Sequence, residues 1–513
     1  MKAIHSKGFL HGLNKYSLSF LSGILLVVIQ PPISLFPLAF IALMPLFGSI
    51  KKDDLRFSFV SGYLTGLVSY LGLIYWVVIA MNRYGGIDIV SSFLILLLFV
   101  FYLSLYTGVF ALSCAWFEKR FSVPLYLSAP LTWVALEYAR GVLLSGFPWS
   151  FLAHSQYTFL PFIQVASITG AYFISFLIVA VNTIFFVLWK RGRMSPIYVV
   201  VIAALVALTL VYGFAKLSEK TERPHFKTAI VQGNVKQDVK WDEAFKVMTI
   251  KKYLQMTLSS VKDVDLVIWP ETAMPFLFDR EIYANKYIKA LPGAVGSNLL
   301  FGTMSEDSSR RLRNSAYVIG KDGETEGVYN KVHLVPFGEY TPLISYFPFL
   351  AKLTAAGGDF SPGQSHEPIK TDIGSIGVLI CYEGVFPSIT NETVRRGAQV
   401  LVNLTNDAWY DRTSAPYEHF AFYVFRAIET DRYLLRAANT GISAVIDPNG
   451  RIEARTPIFT EDVLQGSFAL RSTRTVYVRW GDYFMIIALL VLASAIGAGW
   501  RRRLRVEKKS LPQ

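Results

Sequence analysis

The sequence predicts two kinds of structure in one chain, a set of membrane-spanning helices and an α/β domain inserted before the last of them. Hydrophobic residues make up 53% of the 513 residues, which is high for a soluble protein, yet 17% are charged, which is high for a pure membrane bundle. Long apolar runs occur only before residue 219 and near the C-terminus. The segment between them has the short strand-and-turn pattern of a layered domain.

The apolar runs are close to the roughly 20 residues that a helix needs to cross a bilayer. Seven lie near residues 14–30, 33–50, 57–80, 88–116, 122–142, 160–189 and 196–215, and an eighth lies near 483–500. The first run ends at Pro31-Pro32, so we expect a tight hairpin leading into the second. Eight spans are therefore predicted.

The basic residues predict which side of the membrane each loop occupies. Seventeen Lys and Arg residues fall in five stretches beside apolar runs, within residues 2–15, 51–56, 119–120, 190–193 and 501–509, whereas the intervening short loops contain only Arg83. Basic residues near membrane spans stay in the cytoplasm. We therefore expect both termini in the cytoplasm and the inserted domain outside the cytoplasm. Much of the net charge of +13 is explained in this way, which disfavours a nucleic-acid partner.

The inserted segment, about residues 220–475, is predicted to be an α/β layered domain between the helical region 1–219 and the C-terminal region 476–513. Continuous apolar runs such as Gly377 to Ile380 are typical of strands buried on both faces. The predicted strands are Lys227 to Val231, Val264 to Trp269, Leu299 to Thr303, Ser315 to Ile319, Ser375 to Ile380, Gln399 to Asn403 and Ser443 to Ile446. Helices are predicted at Trp241 to Val261 and Pro416 to Ala437.

Several of these strands end in polar groups, which indicates a site, because ligands of α/β sheets bind at strand ends. Glu271 and Cys381 each follow such a strand, as do Asn406 and Asp407, and a further apolar loop carries Lys331. A carboxylate can take the proton of a thiol, and an ammonium can stabilise the thiolate and the oxyanion of a tetrahedral intermediate. Glu271, Lys331 and Cys381 are therefore the candidate catalytic residues.

Each of these three residues could instead have an ordinary structural role. Cys381 is one of two cysteines in the chain, and the topology separates it from Cys114, so a structural disulfide is not expected. Taken singly, the thiol could be a core residue, Glu271 a loop acid and Lys331 a surface charge. Their joint appearance at element ends favours the catalytic interpretation.

Glu271, Lys331 and Cys381, in this order and with the contexts Trp269-Pro270-Glu271 and Cys381-Tyr382-Glu383, resemble the nitrilase superfamily. The membrane segments and the motifs around Glu137 and Trp149 extend the resemblance to its membrane-bound branch, the apolipoprotein N-acyltransferase family. This resemblance implies a four-layer α-β-β-α sandwich. It also implies a ping-pong reaction, in which a fatty acyl chain passes from a phospholipid, such as the sn-1 chain of phosphatidylethanolamine, through a Cys381 thioester to the α-amino group of a diacylglyceryl-cysteine.

The resemblance further implies roles for other residues. Glu271 would be the base, and Lys331 with the backbone N–H of Tyr382 would hold the oxyanion. Glu339 would fix Lys331, and Glu383 would hold the active-site loop, although Glu339 could be a solvated acid and Tyr382 a packing residue. The candidate substrate-binding residues are Trp241, Asn314, Tyr346 and Phe347.

Two features keep alternatives open at this point. The apolar stretch 343–350, which contains Tyr346 and Phe347, could be an arm that touches the bilayer or could pack against the sheet. Glu137 and Arg140, three apart in the fifth predicted span, are expected to form an intramembrane ion pair rather than contact a lipid headgroup.

No metal-binding or nucleotide-binding motif occurs, so neither a metal nor another cofactor is expected. The expected partners are the phospholipid donor and the diacylglyceryl-modified apolipoprotein, and we expect a monomer integral to the bacterial inner membrane. Two other functions compete. A membrane-tethered amidase or nitrilase would share the same three residues but would not need eight spans, and a transporter or scaffold would not need the three residues together.

Overall fold

The computed structural model describes residues 15–219, 224–237, 243–341 and 360–509. Within this part the chain divides into two compact units. The helical unit comprises the described residues within Met1–Tyr75, Phe93–Ala215 and Asp482–Gln513, and the sandwich unit comprises those within Trp76–Ser92 and Lys216–Gly481. The predicted domain boundaries after residues 219 and 475 remain predictions.

In the helical unit, five helices are long and apolar enough to cross a membrane. They are α3 (Leu55–Ile74), α5 (Ile89–Phe121), α9 (Ala171–Trp189), α10 (Pro196–Ser218) and α16 (Tyr483–Lys509). The other helices of this unit are α1 (Ser17–Val28), α2 (Met44–Ser49), α6 (Leu125–Val142), α7 (Leu160–Ile163) and α8 (Ala166–Thr169). The predicted count of seven N-terminal spans stays a prediction.

Two of the predicted apolar spans are interrupted in the structure. The run 33–50 forms a 3₁₀ turn, Phe36–Phe40, and then α2, each with a proline in its first turn. Proline lacks an N–H and is suited to helix starts, so two prolines in one run favour two short helices. The run 160–189 is divided at Gly170, whose φ of 71° ends α8 before α9 begins.

The sandwich unit contains two six-stranded sheets, with strand orders β12-β1-β2-β3-β4-β5 and β11-β10-β9-β8-β7-β6. The strands of the first sheet are β1 (Phe226–Gln232), β2 (Leu266–Ile268), β3 (Asn298–Glu306), β4 (Leu312–Ile319), β5 (Thr325–Asn330) and β12 (Asp462–Phe468). Those of the second are β6 (Ile369–Thr371), β7 (Gly374–Ile380), β8 (Val400–Thr405), β9 (Leu434–Ala438), β10 (Ala444–Ile446) and β11 (Ile452–Arg455).

The two sheets face each other across one apolar core. Side chains from both contribute to it, for example Ile268 and Leu300 from the first sheet and Val378 and Val402 from the second. Each sheet is covered on its other side by helices: α11 (Glu243–Ser260) and α12 (Ile282–Val295) pack on the first, and α13 (Pro387–Arg395) and α14 (Ala415–Thr430) pack on the second. This arrangement is the predicted four-layer α-β-β-α sandwich.

The structure corrects one element and adds others. The helix predicted over Pro416 to Ala437 is wrong at its C-terminal end. Helix α14 ends at Thr430, Asp431 adopts a left-handed conformation with φ 55°, and β9 follows. β9 lies between β8 and β10, where it completes a buried sheet, and this tertiary pairing outweighs the helix propensity of its Leu and Ala residues. The seven predicted strands are all present, with their ends shifted by at most three residues.

The remaining helices of the sandwich unit are two short ones, α4 (Trp76–Ile79), which continues into a π-turn at Ala80–Tyr84, and α15 (Val476–Trp480). The α4 segment packs on the loop after β8. Trp76 meets Tyr410 with ring centroids 4.8 Å apart, and Arg83 forms an ion pair with Asp411. A segment between two apolar helices thereby belongs to the same compact unit as the sheets.

Candidate active site

Cys381 lies at the carboxyl end of β7, where the chain leaves the sheet in a 3₁₀ turn, Cys381–Val385. Its φ is 52°, a left-handed conformation that non-glycine residues rarely adopt and that clusters at functional sites. The residue is only 7% exposed. β7, β8 and β9 are parallel, so the segments that follow them meet at the same edge of the sheet.

The carboxylate of Glu271, which follows β2, is held by two hydrogen-bond donors. Asn314 Nδ2 donates to its Oε1 at 2.8 Å, and the backbone N–H of Asn406 donates to its Oε2 at 2.8 Å. Lys331 Nζ lies 3.8 Å from Oε1. Since Asn314 is on β4 and Asn406 follows β8, both sheets position this carboxylate.

Lys331 follows β5 and is 1% exposed. Its ammonium lies 2.9 Å from Oε1 and 2.8 Å from Oε2 of Glu339, in addition to its contact with Glu271. Burial by itself lowers the pKa of Lys331, but the opposing charges, Glu339 above all, outweigh burial and hold the pKa above its usual value. The site therefore keeps a fixed positive charge.

Asn314 joins the two carboxylates that flank Lys331. Its Nδ2 donates to Glu271 Oε1 at 2.8 Å and to Glu339 Oε1 at 2.9 Å, and its backbone carbonyl accepts from the Lys331 N–H at 2.9 Å. The structure thus places Asn314 inside the charged cluster, where both amide hydrogens are engaged by protein carboxylates.

Glu383 is fully buried and ties the Lys331 segment to the Cys381 turn. Its Oε1 accepts from the backbone N–H groups of Val332 at 2.7 Å and His333 at 3.1 Å, and its Oε2 accepts from the N–H of Ile380 at 2.7 Å. Burial raises the pKa of Glu383 to about 7, although these N–H donors oppose the rise. One side chain therefore links the segment after Lys331 to the residue before Cys381.

The Cys381 thiol is protonated at rest. Burial raises its pKa, and the charge of Glu271 raises it further, while Lys331 opposes both without overcoming them. A thiol in this state is a weak nucleophile until a base removes its proton during attack. The arrangement of a buried thiol, a carboxylate and a fixed ammonium can support covalent acyl chemistry in which deprotonation accompanies bond formation.

Of the other predicted site residues, the structure describes Tyr382 but not three of the candidate substrate-binding residues. The ring of Tyr382 packs edge-on against Phe386, with centroids 4.9 Å apart, and its backbone follows the nucleophile directly. The candidate substrate-binding residues Trp241, Tyr346 and Phe347 lie outside the described residues.

Sequence reasoning missed a buried polar cluster behind Cys381, formed by Asp407, His419, Tyr423 and Arg436, all 0% exposed. The polar run after β8 was visible in the sequence, but the cluster depends on β9, which the sequence did not predict and which carries Arg436. The signal that the sequence offered for this cluster was the presence of His419 and Arg436 within otherwise apolar segments.

In the helical unit, the expected ion pair between Glu137 and Arg140 is not formed. Arg140 Nη1 instead donates to the backbone carbonyls of Phe147 at 3.0 Å and Trp149 at 2.6 Å, and Glu137 Oε1 accepts from the N–H of Leu152 at 2.8 Å. The two side chains lie on one helix but satisfy the loop that follows it, because that loop presents backbone groups which need partners in an apolar environment.

Comparison with known proteins finds one family model for the N-terminal helices and another for the sandwich unit. The family model described as carbon-nitrogen hydrolase matches residues 227–477, and that described as apolipoprotein N-acyltransferase N-terminal domain matches residues 22–184. A crystal structure of Saccharomyces cerevisiae Nit3, a member of the nitrilase superfamily, is 18% identical and aligns over 49% of this chain and 93% of its own, with a TM-score of 0.39.

Two of the relatives illustrate matches over nearly the whole chain. The apolipoprotein N-acyltransferase of Geobacter metallireducens is 40% identical over 500 residues, covering 95% of this chain and 96% of the relative. That of Pasteurella multocida is 29% identical over 506 residues, covering 95% and 96%. With a relative of 40% identity along nearly its whole length, matches to both family models and five helices able to cross a membrane, the chain belongs to the apolipoprotein N-acyltransferase family of bacterial membrane enzymes.

Proposed function

We propose that this enzyme transfers a fatty acyl chain from a phospholipid to the α-amino group of the N-terminal diacylglyceryl-cysteine of apolipoproteins, through an S-acyl thioester on Cys381. The observation that carries the proposal is the buried cluster of Glu271, Lys331 and Cys381, in which Lys331 Nζ lies 3.8 Å from Glu271 Oε1 and the charges of both groups affect the pKa of the thiol. The phospholipid we propose is phosphatidylethanolamine, with transfer of its sn-1 chain.

In the first step, Glu271 takes the thiol proton while the Cys381 sulfur attacks the ester carbonyl carbon of the phospholipid. The resulting oxyanion is stabilised by the Lys331 ammonium and by the backbone N–H of Tyr382. Collapse of the tetrahedral intermediate breaks the ester C–O bond, and Glu271 returns its proton to the departing oxygen. The products are a lysophospholipid and the S-acyl enzyme.

In the second step, the α-amino group of the lipoprotein attacks the thioester carbonyl, and Glu271 accepts a proton from the amine. The C–S bond breaks, the sulfur leaves as a thiolate, and the proton on Glu271 restores the thiol. An amide remains on the lipoprotein. Glu339 and Asn314 support both steps, because they hold Lys331 and Glu271 in place.

Four further residues have supporting roles in this proposal and take no part in the bond-making steps. Glu383 keeps the Lys331 segment beside the Cys381 turn, because it accepts from the Tyr329 hydroxyl at 2.9 Å as well as from the three backbone N–H groups described above. Trp241, Tyr346 and Phe347 are proposed to contact the lipid substrates. The proposal does not require a metal or another cofactor, since the protein side chains supply the base, the nucleophile and the electrophilic stabilisation.

Intact-mass analysis after incubation with phosphatidylethanolamine tests the proposal. The wild-type enzyme should gain the mass of one fatty acyl group and lose it when a diacylglyceryl-cysteine peptide is added. Cys381→Ala should gain no mass, whereas Cys114→Ala, at the other free cysteine, should behave as the wild type. A fully folded wild-type enzyme that never gains an acyl group would contradict the proposal.

We further propose that the enzyme lies in the bacterial inner membrane as a monomer, with both termini in the cytoplasm and the sandwich unit in the periplasm. The distribution of Lys and Arg supports this orientation. In intact spheroplasts, a membrane-impermeant maleimide should label Asp322→Cys, in an exposed turn of the sandwich unit, and should not label Lys190→Cys. The reverse labelling pattern would invert the topology.

The alternative of a membrane-tethered amidase acting on a small soluble compound is less well supported. The family relatives are named apolipoprotein N-acyltransferases. Five helices able to cross a membrane also suit an enzyme whose first substrate is a lipid better than one whose substrate is soluble.

A further inference from the structure

The buried polar cluster behind Cys381 is not used in the two chemical steps, yet it ends on the backbone of the nucleophile. Arg436 Nη2 lies 2.8 Å from Asp407 Oδ2, and Asp407 Oδ1 lies 3.0 Å from His419 Nδ1. His419 Nε2 lies 3.0 Å from the Tyr423 hydroxyl, which donates to the carbonyl oxygen of Cys381 at 2.8 Å. Four buried side chains thus form one chain of polar contacts, and its last member, Tyr423, donates to the carbonyl.

That carbonyl belongs to the peptide bond between Cys381 and Tyr382. A trans peptide is planar, so its C=O and N–H point in opposite directions. The hydrogen bond from Tyr423 fixes the carbonyl on one side and therefore fixes the Tyr382 N–H on the other. Cys381 has a φ of 52°, which is sparsely populated for a residue with a side chain, so this turn depends on contacts that hold it.

The direction of the hydrogen bonds follows from the number of protons available. A carbonyl oxygen only accepts, so the Tyr423 hydroxyl gives its one hydrogen to Cys381, and His419 Nε2 then hydrogen-bonds to the hydroxyl oxygen only as a donor. His419 Nδ1 lies 3.1 Å from Arg436 Nη2 and 3.0 Å from Asp407 Oδ1, so a donor and an acceptor both adjoin this nitrogen and hold the ring in place. Burial lowers the pKa of His419 despite the opposing charge of Asp407, which favours a neutral ring.

Two glycines leave room for the cluster. A Cβ atom at Gly384, in the turn after Cys381, would lie 2.2 Å from the Tyr423 ring. A Cβ atom at Gly441 would lie 2.1 Å from Asp407 Oδ2. The Arg436 guanidinium also lies 5.0 Å from the centroid of the Tyr423 ring, within the range of a cation–π contact. The ring of Tyr423 is therefore packed from several sides, and its hydroxyl has little freedom to move.

We infer that Tyr423 is a positioning residue for the oxyanion site, and that His419, Asp407 and Arg436 hold its hydroxyl against Cys381. It orients the Cys381–Tyr382 peptide so that the Tyr382 N–H faces the developing oxyanion. The inference rests on one part of the proposed function, attack of the Cys381 sulfur on an acyl carbonyl, and is independent of which lipid supplies the acyl group.

The test compares two reactions of Cys381 in full-length enzyme in detergent. Acylation by p-nitrophenyl octanoate, followed as a burst of p-nitrophenolate, passes through an oxyanion, whereas alkylation by iodoacetamide, followed by peptide mass at Cys381, does not. Tyr423→Phe should slow acylation by about 10- to 100-fold, since the loss of one oriented oxyanion donor costs up to about 1,000-fold. Alkylation should change by less than about threefold, because it depends on the thiol and its base.

Tyr317→Phe is the matched control, since Tyr317 is another buried tyrosine of the sandwich unit and its hydroxyl donates to Asp279 at 2.7 Å, in no contact with the site. It should leave both rates unchanged. His419→Gln, which keeps a donor near the Nε2 position, should lose less acylation than His419→Leu.

The inference is overturned if Tyr423→Phe acylates at the wild-type rate, or if acylation and alkylation fall together by the same factor. A wild-type enzyme that reacts with the octanoyl ester but not with phosphatidylethanolamine would overturn the proposed donor and leave Tyr423 testable as described. A wild-type enzyme that shows no burst with the ester would overturn both proposals.

Discussion

In the sandwich unit, the ammonium of Lys331 lies 2.8 Å from Glu339 and 3.8 Å from Glu271, whereas in the helical unit the guanidinium of Arg140 donates to two backbone carbonyls and is not paired with Glu137. Both units bury a carboxylate and a cation close together in sequence or space. The charges of the first are balanced by one another within the candidate active site, and those of the second satisfy a loop. Buried charge alone therefore does not distinguish a reactive site from a structural one; the identity of its partners does.

The comparison predicts that charge removal in the sandwich unit affects chemistry more than stability. Glu271→Gln keeps an acceptor for the Asn406 N–H but removes the base, so acylation of Cys381 should fall by about 100- to 10,000-fold. Intact-mass kinetics at pH 7 measure the fall, and thermal unfolding shows whether the fold is intact. Glu324→Gln, at an exposed turn, is the control. A variant that keeps its rate but unfolds easily would make Glu271 a structural residue like Arg140.

Glu339→Gln should have the next largest effect. Glu339 is the main group that raises the pKa of Lys331, so its removal lowers that pKa. The alkaline limb of kcat/KM should move to lower pH, and activity at pH 7 should fall by about 10- to 100-fold.

The same substitution should weaken the fold. Because the folded-state pKa of Lys331 lies above its unfolded value, the ion pair contributes fully below the unfolded pKa and is lost only as pH rises through the folded pKa. Unfolding free energy at pH 7 should therefore decrease by about 1–3 kcal/mol. An unchanged pH profile would show that Glu271 alone sustains the ammonium.

Glu383 gives a pH dependence of stability. Burial raises the pKa of its carboxyl to about 7, so the folded protein binds this proton more tightly than the unfolded chain does. Stability should therefore fall as pH rises from about 4.5 to 7, where the folded protein loses the proton. Melting temperatures across this range should decline for the wild type and decline less for Glu383→Gln. Equal slopes for the two proteins would assign the dependence to another group.

The helical unit should show the opposite balance. Arg140→Met leaves the carbonyls of Phe147 and Trp149 without this donor, at a cost of about 1–3 kcal/mol each. Acylation per folded molecule should change by less than the losses expected at Glu271 or Glu339. Thermal unfolding and active-site titration on the same sample separate the two effects, and a large loss of rate in fully folded enzyme would make Arg140 part of the reaction.

The smallest effect is expected at Glu137. Glu137→Gln retains an oxygen that can accept from the Leu152 N–H at the same position, so stability should change by less than about 1 kcal/mol. Glu137→Leu, which has no acceptor, is the contrasting variant and should be clearly less stable. Similar stability in both variants would mean that the Leu152 contact contributes little.

Sequence reasoning was most successful where local pattern and burial agree. The seven predicted strands, β1 to β4, β7, β8 and β10, are mostly buried, and their positions were predicted to within three residues. The strands that were missed are half-exposed at the sheet edges, such as β5 and β11, or contain helix-forming residues, such as β9. An edge strand is stabilised by one neighbour, and its sequence carries little of that information.

The candidate site shows the same limit. Glu271, Lys331, Cys381, Glu339 and Asn314 were named from the sequence, and the structure brings them into one cluster. The support from Asn406 and the link from Tyr423 to the Cys381 carbonyl could not be predicted, since each joins segments far apart in the chain.

The sequence by itself determined that this protein has apolar membrane segments, an inserted α/β layered domain and a thiol with a carboxylate and a lysine at element ends, because composition and periodicity record burial directly. Tertiary structure decided which charges meet. Lys331 pairs with Glu339 and lies near Glu271, whereas Arg140 does not pair with its helical neighbour Glu137. A buried charge pairs with the groups that the completed fold places within reach. Strand order and loop geometry determine these groups, and spacing in the chain does not.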